Sequence, residues 1–452
     1  MNLNKTLEEY KKENIYPFHM PGHKRRIAKN EYSIDMTEVE GVDDLHDPEG
    51  AIAEDQDRIK NLYGSDESYI LVGGSTVGNL AAIYASTKEG DTIIIPRNAH
   101  KSVYNAAMLR HLKIEYLYPE IDEYGIYNPC SLDEVKYAIE KYNPAAMVII
   151  SPTYEGRLAD IHSIADLCHE NNVILIVDQA HGAHLGFDEH FPGSAVEYAD
   201  ITIQSLHKTL PALTQTALLH KKGNNVDSRR IRAALDIFET SSPSYVLMNS
   251  VSDCVDILEN STALFTEYVE NLHNFRTFCG ELNHIKLLVD NIDKMDMGKL
   301  ILSTKTTNIT GTMLAKILRE KYKIETEMAS FAYVIAMTSI MDSKEGFERL
   351  KKALKEIDQG LNAGNIDIPY KSLIPKRKME IFEAKSGEEK LVDLKESVGE
   401  ISATMVCLYP PGAPIVVPGE EITKEALEVI AAAKSEGIHV TGVNEDSISV
   451  VN

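Results

Sequence analysis

Three short stretches bring reactive side chains to the ends of apolar runs. YILVGGSTVGNLAAI passes from a strand-like segment into Gly73-Gly74, then Ser75-Thr76, with a helix opening near Gly78-Asn79. Glycines let the backbone approach an anion, and free N–H groups at a helix start, joined by two hydroxyls, make a phosphate cradle. Neither GK[ST] nor GxGxxG is present, and a plain strand-to-helix turn is the alternative. In VILIVDQAHGAHLGF an apolar strand delivers Asp178 at its carboxyl end, where a buried carboxylate needs a partner. That partner is a metal, with His181 and His184 completing D-x-x-H-x-x-H, or a protonated heterocycle nitrogen, or the backbone of a capped turn. In ITIQSLHKTLPALTQTALL a short strand leads into Ser205, His207 and Lys208, with Leu206, Leu210, Ala212 and Leu213 around the lysine. An amine held among apolar groups is depressed toward its neutral form and can condense with a carbonyl; the other reading is a lysine snorkelling from a loop.

The order of the three stretches says more than any one of them. A phosphate cradle, then an acid on a strand end, then about 30 residues later a lysine after another strand are the parts a pyridoxal phosphate enzyme requires. The metal reading accounts for Asp178 and the two histidines, but it leaves the cradle and Lys208 without a role.

Elements must hold these groups in place. Strand-length apolar runs fall at Tyr69–Val72, Thr92–Pro96, Ala145–Ile150, Val173–Asp178, Ile201–Gln204 and Thr216–His220. Helix-like segments lie between them at Asn79–Thr87, Lys101–His111, Ser131–Tyr142 and Ser163–Glu170. This alternation predicts an α/β fold with a mostly parallel sheet, whose ligands sit at the carboxyl ends of the strands. Residues 1–50 read as an N-terminal arm and 51–281 as the large domain, with a long helical stretch from Ser228 to about Glu270. A smaller α/β domain is expected over 282–364. A linker rich in charge and proline and a C-terminal unit with a helix at Lys424–Ser435 follow over 365–452.

Composition limits the partners. The 46 Lys and Arg against 69 Asp and Glu leave a net charge of −23, which repels nucleic-acid phosphates and admits cationic ligands. No apolar run approaches the length of a membrane span, and the N-terminus has no apolar signal region, so the cytoplasm is the expected address. Cys130, Cys168, Cys254, Cys279 and Cys407 are scattered, odd in number and never spaced CxxC, which argues against a disulfide framework or a zinc knuckle.

The sequence resembles the bacterial-type ornithine/lysine/arginine decarboxylases of the fold-type I pyridoxal phosphate enzymes. The strings that carry the resemblance are FHMPGHKR (Phe18–Arg25), GVDDLHDPEG (Gly41–Gly50), GGSTVGN (Gly73–Asn79), RNAHKS (Arg97–Ser102), SPTYEG (Ser151–Gly156), DQAHGAH (Asp178–His184), QSLHKTLPALTQ (Gln204–Gln215), SSPSY (Ser241–Tyr245) and PPGAPIVVPGEEIT (Pro410–Thr423). They run in family order over nearly the whole chain.

The resemblance implies an aspartate aminotransferase-like three-layer α/β/α large domain, a smaller α/β domain and a C-terminal α/β unit. It implies that Lys208 holds the cofactor as a Schiff base, that Asp178 meets the pyridinium nitrogen and that Ala180 lies under the ring. Ser75, Thr76 and Val77 match the phosphate cradle, with Ser205 contacting the phosphate. His207 lies near the Schiff base, His181 beside the cofactor, His100 on the other ring face and Thr153 beside the ring hydroxyl. Ser241 and Ser242 match a stretch that reaches the phosphate from a neighbouring subunit, which implies a homodimer. Glu420 is similar to an acid near the substrate's distal cation.

The implied reaction is decarboxylation of arginine, lysine or ornithine to agmatine, cadaverine or putrescine plus CO2, with the α-carbon reprotonated by Lys208 or His207. An aminotransferase or a carbon–carbon lyase is the alternative, because the cofactor set alone does not fix which bond breaks. Two departures stand out: Arg26, where glycine is usual, and Gln179, where an acid commonly follows the Asp. The second is expected to remove a negative charge near the site. Only 17 residues precede Phe18, so the short form, without the extra N-terminal domain of longer relatives, is expected.

Overall fold

The computed structural model describes residues 2–12, 30–289, 294–369, 374–409 and 412–452. The FHMPGHKR string, Arg26 and Pro410–Pro411 lie outside the described residues. The chain forms two compact units: Met1–Thr87, Ala145–Met147 and Ile161–Phe265 make the first, and Lys88–Pro144, Val148–Asp160 and Thr266–Asn452 the second. Seven strands arise in the first half of the chain: β1 (Glu67–Leu71), β2 (Thr92–Pro96), β3 (Lys113–Leu117), β4 (Ala146–Ile150), β5 (Ile174–Asp178), β6 (Ile201–Ser205) and β7 (Ala217–Lys221). Six of them lie within one or two residues of the runs expected from the sequence; β3, which opens on Lys113 and carries Glu115, was not among those runs.

In the first unit the neighbours are β1-β7-β6-β5. β5 runs parallel to β6, and β7 runs antiparallel to both β6 and β1, so β7 alone points against the rest. The reason is the length of its connection: residues 206–216 are too few for the helical crossover that a parallel return needs. All five residues of β6 and of β7 are buried, the pattern of strands covered on both faces.

Gly74–Ser86 is the helix that covers β6. It opens four residues earlier than the sequence indicates, because Gly74 takes φ +74° and turns the chain straight from the strand into the helix. Ser75 and Thr76 therefore lie in the first helical turn instead of in a loop before it. A Cβ on Gly78 would meet Ile203 Cγ2 at 2.6 Å, so glycine is what lets the helix sit this close to β6.

The arm is packed as well. In the helix Leu3–Lys12, Leu3 and Leu7 are buried, and the Leu3 N–H donates to Asp55 at 3.2 Å. Asp43, in the GVDDLHDPEG string, accepts the N–H groups of Glu49, Gly50, Ile52 and Ala53 and so secures the start of the helix Ala51–Tyr63. The stretch after Ser228 is three helices rather than one: Ser228–Phe238, Tyr245–Leu258 and Thr262–Cys279. The first break carries Pro243, and Ser244 caps the next helix by accepting from Leu247 N–H.

The second unit holds the parallel pair β2–β3. Beyond it, β8 (Lys286–Leu287), β9 (Lys299–Ser303), β10 (Met328–Ala329) and β11 (Tyr333–Met337) form an antiparallel sheet in the order β10-β11-β9-β8. The helices Gly311–Tyr322 and Lys344–Asp358 accompany it. Asp358 ends the latter and accepts the N–H groups of Asn283, His284 and Ile285, each at 2.8 Å. The C-terminal part pairs β12 (Glu389–Asp393) with β16 (Ser447–Val451). It also sets β13 (Val406–Tyr409) between β14 (Pro414–Val416) and β15 (His439–Thr441). The helix Lys424–Ser435, at the expected bounds, buries Val429, Ile430 and Ala433 in a cluster with Val406, Ile415 and Val450. No helix among the described residues is long and apolar enough to cross a membrane.

Candidate active site

In the first unit, β5 and β6 end side by side, with Asp178 in register with Ile203. Asp178 is buried. Its carboxylate accepts from Asn79 Nδ2 at 3.0 Å and from the Ala180 N–H at 3.2 Å. Asn79 sits in the GGSTVGN string, one turn into the cradle helix, and was not singled out from the sequence. Its position in the turn after a phosphate-type start was the available signal.

β6 ends at Ser205, and the chain turns at once into the short helix Leu206–Thr209. That turn presents His207 and Lys208, both half-buried. Lys208 Nζ lies 3.0 Å from His181 Nε2, which brings the amine together with one of the two histidines. His184 is buried with its ring edge-on to Phe191, a core position. Among the described residues no group of three or more His, Cys, Asp or Glu could hold a metal, and the D-x-x-H-x-x-H string forms none. His207 donates from Nδ1 to the Thr216 carbonyl at 2.9 Å, and burial lowers its pKa and holds the ring neutral.

Ser75 Oγ and Ser205 Oγ are 2.6 Å apart, so the first turn of the cradle helix and the end of β6 place two hydroxyls at one spot. Thr76 is exposed and Val77 buried. Among the described residues no side chain caps the helix at Gly73, which leaves the N–H groups of its first turn available to an anion.

Behind the turn stands Glu239. It accepts the Val72 N–H at 2.8 Å and the Gly73 N–H at 2.7 Å through one oxygen. The other oxygen has no hydrogen-bond partner among the described residues, and burial raises the carboxyl pKa. A Cβ on Gly73 would meet Val77 Cγ2 at 2.3 Å and Glu239 Oε2 at 2.8 Å. Only glycine fits there. Glu239 directly precedes Thr240, whose carbonyl accepts from His46 Nε2 at 2.8 Å, and Ser241 and Ser242 beyond it are exposed. Glu239 carried no motif signal, since it works through 166 residues of separation.

Gln179 places a neutral amide next to Asp178. It is buried and its Oε1 accepts from Ser194 Oγ at 2.9 Å and Gln204 Nε2 at 2.8 Å, a neutral network beneath the strand ends.

The remaining expected residues belong to the second unit. His100 caps the helix Lys101–Leu109, its Nδ1 facing Ser102 Oγ at 2.8 Å and the Ser102 N–H at 3.3 Å. Thr153 is buried in a tight turn, and its hydroxyl accepts the Arg157 N–H at 3.2 Å. Glu420 is buried against Arg97 of the RNAHKS string. Its Oε2 accepts from Arg97 Nη2 at 2.8 Å and from the Val417 N–H at 2.7 Å. Arg97 also donates to the Pro414 and Ile415 carbonyls, at 3.1 and 3.2 Å. The charge of Glu420 is thus met inside the fold by a guanidinium that the sequence did not point to.

The donor set of the first unit fits pyridoxal phosphate: an amine able to condense with an aldehyde, a buried carboxylate for a protonated ring nitrogen, and N–H groups with paired hydroxyls for a phosphate.

Comparison with known proteins gives a consistent result. The Orn/Lys/Arg decarboxylase major-domain family matches residues 2–300, and the C-terminal domain of the same family matches residues 370–446. The chain is 32% identical over 464 residues to an arginine decarboxylase of Bacillus subtilis (strain 168), covering 96% of this chain and 94% of that protein. The constitutive lysine decarboxylase of Escherichia coli superposes with a TM-score of 0.86 at 21% identity, over 100% of this chain and 82% of that one. A more distant structure, of SPT with PLP, superposes with a TM-score of 0.56 at 12% identity over 68% of this chain and 76% of that one. These likenesses show the fold-type I architecture.

Proposed function

The chain belongs to the Orn/Lys/Arg decarboxylase family, and from that premise we propose that it is a pyridoxal phosphate-dependent decarboxylase of a basic L-amino acid, with Lys208 and Asp178 at its centre. The observation that carries the reading is the convergence of Lys208, His181, Asp178, Asn79, Ser75 and Ser205 at the carboxyl ends of β5 and β6. Bound pyridoxal phosphate supplies an electron sink for the bond to the α-carboxylate as CO2 leaves.

The chain's own groups do the rest. Asn79 and the Ala180 N–H orient the Asp178 carboxylate so that it holds a proton on the ring nitrogen. The first turn of the helix Gly74–Ser86, with Ser75, Thr76, Val77 and Ser205, binds the phosphate. His181 and Ala180 border the ring, and His207, kept neutral by burial, shares with Lys208 Nζ the return of a proton to the α-carbon. His100 and Thr153 complete the cofactor set on the strength of their family motifs. Ser241 and Ser242, exposed beyond Glu239, reach the phosphate of a second copy in a cytoplasmic homodimer.

Arginine is the substrate we place first, because relatives named arginine decarboxylase are 30–32% identical over nearly the whole chain. Incubation of the purified protein with arginine, lysine and ornithine, with CO2, amine and keto acid measured separately, tests this. CO2 with agmatine in equal amounts is the expected result. Keto acid without CO2 overturns the decarboxylase reading, and CO2 from lysine or ornithine alone overturns the choice of arginine.

A further inference from the structure

Glu155 lies in the SPTYEG turn after β4 and is only 4% exposed. One carboxyl oxygen accepts from the Tyr333 hydroxyl at 3.1 Å, and among the described residues no basic side chain forms an ion pair with it. The two cations whose fields reach it are engaged elsewhere. Arg157 binds Asp122 at 2.6 Å and Asn128 at 2.8 Å, while Lys299 Nζ donates to Met337 Sδ at 3.0 Å and lies over the Tyr154 ring. Burial accordingly raises the Glu155 carboxyl pKa. A carboxyl withdrawn from water and met only by neutral donors, the Tyr333 hydroxyl and its own backbone N–H, is a costly arrangement, relieved when a cation enters.

There is room for a small one. Glu155 and Tyr333 line a narrow, open-mouthed cavity of about 40 Å3, walled by Met328, Phe331, Leu408 and Ile438, with Tyr127 and Ser330 as further polar groups. All of these belong to the second unit. A divalent metal would require several oxygen or nitrogen ligands where this wall offers one carboxylate, and an anion is repelled by it. Apolar walls with a single acid suit an ion that carries its charge at one end and methylenes behind it.

We propose that this cavity is a binding site for a small organic cation, an alkylammonium or a guanidinium, held by Glu155. The same chemistry comes from two sources, the side chain of a basic amino acid or a free amine.

Titration calorimetry on the full-length holoenzyme with n-butylammonium and with methylguanidinium, and n-butanol as the neutral control, tests the site. One saturable site is expected for the cations and none for the alcohol. Affinity should fall about tenfold or more in Glu155→Gln, whose amide oxygen still accepts the Tyr333 hydroxyl. Equal affinity in the variant, or no saturable binding in the wild type, overturns the proposal. Should Glu155→Gln fail to fold, Ala329→Leu fills the cavity while leaving the carboxyl in place, and undiminished binding there overturns it equally. Inhibition by n-butylammonium that is competitive with the amino acid identifies the side-chain source, and non-competitive inhibition identifies the free amine. Both patterns require Glu155, and neither depends on which amino acid is decarboxylated.

Discussion

Two buried carboxylates, one in each unit, are treated in opposite ways. Asp178 is met by neutral donors, an amide and a backbone N–H, whereas Glu420 is met by the guanidinium of Arg97. Neutral donors orient a carboxylate without cancelling its charge, so the charge stays available to a ligand. An opposite charge at 2.8 Å cancels it, and the pair then serves to hold β14 and the RNAHKS turn together. The lesson is that burial alone does not mark a functional acid; the identity of its partner does.

The comparison breaks first at Lys208. Lys208→Ala should abolish the cofactor absorbance and lower decarboxylation by ~1000-fold or more, since it removes both the proposed attachment point and a proposed proton carrier. A variant that keeps the band and full activity would falsify the assignment of the first unit's cluster.

The second unit gives the next largest effect, and on stability instead of turnover. Arg97→Leu strands the Glu420 carboxylate in the interior and should cost about 3–5 kcal/mol in urea unfolding, while replacing both partners by leucine should recover most of that loss. An unchanged midpoint for the single variant would mean that the pair is not structural, and Glu420 would return to consideration as a substrate acid.

The smallest effect sharpens the contrast through pH. His220 on β7 is, like Asp178, met by neutral partners: Nδ1 faces Ser68 Oγ at 2.8 Å and Nε2 faces Gln204 Oε1 at 3.1 Å. Burial pushes its pKa down to about 3 from 6.5. The folded state therefore binds fewer protons than the unfolded one between those values, so the stability is complete above pH 6.5 and is lost as the pH falls toward 3. The slope contributed by this one ring is about 1.4 kcal/mol per pH unit. Unfolding midpoints measured from pH 7 to 5 should fall in the wild type and fall less steeply in His220→Gln; equal slopes would remove the ring from the account.

Legibility in the sequence followed the same division. Asp178, Ser205 and Lys208 stand at the ends of apolar runs, and a strand end projects its residues by local geometry alone, so they could be placed before any fold was known. Six of the seven strands of the first half were placed closely for that reason, while β3, with Lys113 and Glu115 in its five residues, lacks the continuous apolar run by which the others are read. The start of the cradle helix was misjudged by four residues because Gly74 enters through a positive φ that no apolar period records. Arg97 and Glu420 are 323 residues apart, and Glu239 and Gly73 are 166 apart. Such pairings are made by folding, and neither partner carries a periodic or spacing signal. Gln179 brings the neutral side chain expected beside Asp178, but the partners that hold its amide, Ser194 and Gln204, carried no sequence signal.

Gly78 has a dynamic consequence. Because the helix carrying Ser75 rests on Ile203 through a glycine, with no side chain to act as a spacer, the strand that ends in Ser205 and that helix have no soft layer between them. Amide hydrogens of Val77 to Leu80 and of Thr202 to Gln204 should exchange with solvent as a single cooperative opening event, so the turns that carry Ser75 and Lys208 loosen together or not at all.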